Sequence, residues 1–144
     1  MNEQLLADFL KGSATPEELG PALLRARISP DTPNFRTDAN YRVTHLLHPV
    51  DVTAAGVDRL VAAVEAGRLT KEQVGIAAFL LESGLQRFIW DTDTVDGARV
   101  ADVLFWLGMP GINYPLTPEI LGAMRLFLRT GERSMGLAPR GAGA

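Results

Sequence analysis

The sequence contains no cysteine, which removes disulfides, thiolate metal sites and cysteine nucleophiles together and leaves stability to packing. Histidine is almost as scarce, with only His45 and His48 present. There is no surplus of positive charge either: 14 basic against 17 acidic residues give a net charge of -3. That balance does not suit a chain that grips nucleic acid through its phosphates. Long apolar runs are also missing. The longest, Val74 to Leu81, is far short of the roughly 20 residues that cross a bilayer. Neither nucleic acid nor a membrane is therefore an expected partner. The opening stretch MNEQLLADFLKG carries Glu3 and Asp8 without a basic segment, so it does not read as a signal peptide, and a soluble cytoplasmic protein is the expectation.

What is present is helical spacing over 144 residues, 47% of them hydrophobic. A chain of this size buries roughly two-thirds of its unfolded surface in one core. Leu5, Leu6, Phe9 and Leu10 mark one face of a first short helix that Gly12 follows. A second starts at Thr15 and runs to about Ile28, with Pro21 predicting a distorted turn. Ser29 to Asn40 is rich in Pro, Asp, Asn and Thr, which is loop chemistry. Beyond it, residues 41–47 fit a short helix capped by Asp38 or an extended segment equally well.

Val57, Leu60, Val61 and Val64 then recur at i, i+3, i+4, i+7, the apolar stripe of an amphipathic helix that Gly67 closes. The helix from Thr70 has no ionised residue between Glu72 and Glu82 and is the expected central one. Gln86 to Trp90 is the one place an extended crossing fits. Further helices follow from about Thr94 or Asp96 to Gly108 and from Thr117 to Thr130. The fold class is therefore all-α, a single domain of about six helices, with hairpins packed as an irregular bundle or short solenoid. Its expected organisation is an N-terminal helical pair over 1–28, a loop over 29–40, a main body over 41–132 and a flexible tail over 133–144.

Three segments share a pattern: TPEELG at Thr15–Gly20, TKEQVG at Thr70–Gly75 and TPEILG at Thr117–Gly122. Their intervals of 55 and 47 residues are too uneven for a repeat array. A hydroxyl at the cap and early acids are what helix starts favour in general. The glycine one turn in is less generic and points to close approach of a neighbouring helix.

No set of residues assembles a catalytic site, since GxSxG, HExxH and Gly-rich phosphate loops are all absent. The expectation is a protein that is not an enzyme and needs no cofactor. An alternative places a metal on His45, His48 and Asp51, whose spacing of three would bring them together on a helix, although Pro49 interrupts it. Asp91, Asp93 and Asp96 resemble a calcium loop only until the register is counted: Val95 then stands at position 5 and Asp96 at 6, where an oxygen ligand and Gly belong.

Charge is instead distributed unevenly. Glu82 to Glu119 holds six acids and two arginines, whereas Ile120 to Ala144 holds Arg125, Arg129, Arg133 and Arg140 against Glu132 alone. Small size, mild acidity and the lack of catalytic motifs are similar to the broad profile of bacterial immunity proteins, which neutralise toxin partners. The resemblance implies a protein-binding role. The charge distribution then makes the acidic stretch with Trp90, Asp91, Asp93, Asp96 and Asp102 the expected face toward a basic partner surface, while Arg125 and Arg129 either pair with that stretch in the same molecule, stay solvated, or join the contact surface. A second alternative is a homodimer seam around Phe105, Trp106 and Met109.

Overall fold

A computed structural model describes residues 1–27, 41–84, 86–108 and 114–139. The expected loop over 29–40, Asp38 within it, and Met109 lie outside the described residues. The chain forms α1 (Glu3–Leu10), α2 (Pro16–Ala26), β1 (Val50–Asp51), α3 (Ala54–Glu65), α4 (Lys71–Ser83), β2 (Phe88–Ile89), α5 (Val95–Gly108) and α6 (Pro118–Thr130). It is an all-α domain whose only sheet, among the described residues, is the parallel pair β1–β2, with Val50 opposite Phe88 and Asp51 opposite Ile89.

The recurrent segments are helix caps. Thr15, Thr70 and Thr117 each accept the backbone N–H three residues on, at 3.2, 3.1 and 3.2 Å. At Thr15 and Thr70 the return bond from Glu18 and Gln73 completes a capping box, so two otherwise orphaned donors are satisfied at each start. Their glycines serve packing unequally. A side chain at Gly20 would stand 2.8 Å from the Gln73 amide on α4, whereas one at Gly122 would meet Glu65 at an ordinary 3.6 Å. Close approach explains the first and not the second.

Helix α2 continues past Pro21 without a break. Pro21 and Glu17 are both exposed, so the carbonyl whose N–H partner proline removes lies on the solvated side. Residues 41–44 are extended, because their backbone groups are claimed from elsewhere: Arg42 N–H donates to Ala26 O, Thr44 N–H to Met1 O, and Glu3 N–H to Thr44 O, at 2.7 to 2.9 Å. These bonds lace the ends of α1 and α2 into the main body. The N-terminal pair therefore shares one apolar core with the rest.

The hub of that core is α3, which packs against α1, α4, α5 and α6, most extensively against α6. The α4 helix, expected at the centre, packs chiefly on α5 and α2. Leu60, Val61, Leu104, Leu107 and Met124 are fully enclosed, each worth roughly 1.5–3 kcal/mol of burial. Trp106 is 1% exposed, so it cannot belong to a homodimer seam. Its indole Nε1–H donates to Ala138 O at 3.0 Å, while Tyr114 Oη donates to Gly136 O and accepts from Ala138 N–H. Leu137 is buried as well, so residues 136–138 are held against the body by these bonds and that side chain.

Candidate functional site

The turn between β2 and α5 is built by hydrogen bonds to its own side chains. Asp91 Oδ1 accepts from Asp93 N–H at 2.9 Å, and Asp91 O accepts from both Thr94 N–H and Thr94 Oγ1 at 3.0 and 2.6 Å. Thr94 Oγ1 in turn accepts from Gly97 N–H at 3.0 Å and so caps α5. Asp96 reaches across to α3, where its Oδ2 accepts the Ala54 N–H at 3.1 Å. Asp91, Asp93 and Asp96 are all exposed on this turn. The apolar side chains beside them are exposed as well, Ile89 at 42% and Val95 at 70%. Trp90 is half-buried against the core.

The other expected contact residues lie elsewhere. Asp102 is only 8% exposed and accepts from Arg133 at 2.9 Å, and the Arg133 guanidinium lies 4.4 Å from the centre of the Phe127 ring. That arrangement ties the segment after α6 to α5 and leaves Asp102 off the surface. Arg125 bridges α6 to α3 by a two-pronged bond to Asp58, 2.9 and 3.3 Å, and a bond to Glu65 at 2.8 Å. Its donation to Asp58 and then to Glu65 pushes its pKa above the already high guanidinium value. Arg129 is exposed, and its Nε donates to the Arg125 carbonyl at 3.3 Å.

Arg125 and Arg129 open onto a groove of about 680 Å³ where α3, α5 and α6 meet. Arg59 and Arg99 join them there, two residues that sequence spacing does not single out. Ala55 and Ala62, small residues two turns apart on α3, give the groove its depth. A second groove of about 630 Å³ continues past Arg59 toward the α1–α2 junction. At its rim Arg68 holds Glu17 in a two-pronged pair at 2.9 and 2.8 Å, and this donor lowers the Glu17 pKa below the usual carboxylate range.

His45, His48 and Asp51 are exposed on a stretch that is not helical, so the spacing that would gather them on one turn has no effect. Among the described residues no group of three or more His, Asp or Glu is gathered as metal ligands. His45 lines a smaller cleft of about 250 Å³ together with Tyr41, Glu3 and Arg87. Burial raises the Tyr41 hydroxyl above the usual phenol range. Tyr41 also packs on Phe79, with ring centres 4.9 Å apart. The Glu3–Arg87 pair in this cleft is not visible in the sequence, because a glutamate in a first helical turn ordinarily reads as a solvated cap partner.

No protein-family model matches the chain, and neither the curated proteins nor the solved structures give a match. Among the described residues no helix is long and apolar enough to cross a membrane.

Proposed function

We propose that this chain is a protein-interaction domain that engages a basic partner surface through the stretch Ile89–Asp96. The observation that carries the reading is one exposed turn on which Ile89 and Val95 stand beside Asp91, Asp93 and Asp96. Apolar contact area within a charged rim is the anatomy of a specific interface. The carboxylates contribute mainly to association rate and partner choice. The turn is already ordered by its own hydrogen bonds, so little conformational freedom is lost on binding. A role as an inhibitory, immunity-type partner of a bacterial toxin or enzyme is the finer form of this reading.

Asp93 is the best residue to alter, because Asp91 shapes the turn and Asp96 caps α3. Used as bait in the native lysate, the variant Asp93→Lys/Val95→Lys is expected to lose at least about tenfold of the protein that the unchanged chain captures. Glu132→Lys, exposed beyond α6, is expected to retain it. Equal capture by all three would remove the turn from the account. Light scattering on the same proteins separates out self-association: a dimer broken by the turn variant would assign this surface to a second copy of the chain.

A further inference from the structure

We propose that the groove between α3, α5 and α6 is a binding site for the phosphate group of a small phosphorylated molecule. The lining side chains Arg59, Arg99, Arg125 and Arg129 stand against Asp58 and Asp96 and against the Glu65 that Arg125 also holds, a local balance of four minus three, or +1, in a chain whose net charge is -3. The acids are already engaged, Asp58 and Glu65 by Arg125 and Asp96 by the Ala54 N–H. Among the described residues, Arg59, Arg99 and Arg129 take part in none of the ion pairs.

Two of these cations are held in place. The Arg99 guanidinium donates to the carbonyls of Leu128 and Arg129 at 3.4 and 3.3 Å, and Arg129 Nε is fixed on Arg125 O. Both residues line the groove, and the outer edge of the Arg99 guanidinium lies over Gly131. The Arg59 guanidinium lies at the end of the groove that faces the α1–α2 junction, against Gly12, where a Cβ would stand 2.9 Å from it. Like charges lining one groove from three helices raise its potential, and an anion bound in the groove lowers it.

The geometry favours phosphate over carboxylate. Guanidinium forks from separate helices can each take a different oxygen. A phosphate monoester offers three terminal oxygens and a charge of about -1.5 to -2 at neutral pH, enough to engage the three groove arginines that no ion pair among the described residues occupies, whereas a carboxylate offers two oxygens and one charge. The groove of about 680 Å³ lies within the range of about 300–1,000 Å³ typical of small-molecule sites. Its apolar bed at Ala55, Ala62 and Leu128 suits the organic part of such a ligand. The site shares no tested residue with the protein-binding turn, so the two readings fail separately.

Calorimetric titration of the full chain with inorganic phosphate, pyrophosphate, a nucleoside monophosphate and a sugar phosphate, with citrate as the carboxylate control, tests it. The expected result is saturable one-to-one binding of at least one phosphate probe, tighter than citrate, weakened at least tenfold by Arg59→Gln and by Arg129→Gln, and unchanged by Arg27→Gln. A sugar phosphate or nucleotide binding more tightly than inorganic phosphate would assign the apolar bed to the organic part. Each variant's thermal transition is recorded alongside; both altered side chains are exposed, so folding is expected to persist. Absence of saturable binding at millimolar probe, or binding that both groove variants leave unchanged, would overturn the proposal.

Discussion

Replacing Gly97 with alanine is expected to destabilise the fold by about 3 kcal/mol or more, an overpacking cost at the high end of its usual range. The added Cβ would stand 1.9 Å from the Asp91 carbonyl oxygen and 2.4 Å from its carbon. These are backbone atoms, so no rotamer change clears them. Asp91 cannot withdraw without breaking the bonds it accepts from Asp93 and Thr94. For a chain of this length such a loss corresponds to a fall in Tm on the order of 10 °C. Gly67→Ala is the informative comparison. Gly67 has a φ of +75°, and nothing lies within 4 Å of where its Cβ would stand, so only the left-handed backbone penalty of about 1–2 kcal/mol applies. Thermal unfolding followed by circular dichroism checks the pair. Equal costs at the two sites would mean that the Asp91 backbone does not lie over Gly97.

The second large effect is expected at Arg87. Glu3 is 1% exposed, and its carboxylate accepts from Arg87 at 2.9 and 3.3 Å and from the Leu46 N–H at 2.9 Å. These bonds join α1, the segment before β1 and the loop after α4. Arg87→Met leaves a buried carboxylate without its counter-charge, and the expected loss is about 3–5 kcal/mol. Glu3→Gln keeps an acceptor for Leu46 and removes the charge instead, so it should cost less. Carrying both changes should recover part of the Arg87→Met loss. Urea denaturation of the four proteins gives the coupling directly, and strictly additive losses would show that the pair does not act as a unit.

Both sites explain where the sequence is legible and where it is not. The helices can be read because their signals are local: Thr15, Thr70 and Thr117 sit next to the N–H groups they cap, and Val57, Leu60, Val61 and Val64 repeat at the helical period. Gly131 closes α6 in the left-handed conformation that glycine favours. What cannot be read depends on residues distant in the chain. Residues 41–44 are extended because Met1, Glu3 and Ala26 claim their backbone bonds. The partner of β2 is β1, far earlier in the chain and reached through α3 and α4.

The same division applies to the sites. The exposure of Asp91, Asp93 and Asp96 follows from turn composition. Asp102 and Arg125 carry charges of the same kinds as the other expected contacts, yet they are occupied by Arg133, Asp58 and Glu65. Only the packing of the helices reveals that, and only that packing makes Arg59, Arg99 and Arg129 line one groove. An uneven charge distribution along the chain thus marks candidate surfaces, but pairing across helices decides which charges remain available.

The protein-binding reading is tested most directly by the association rate of a captured partner with the unchanged chain and with Asp93→Lys, each measured at low and at physiological salt. The account predicts about a tenfold slower association for the variant at low salt and a weaker dependence on salt. Identical rates at both ionic strengths would contradict it.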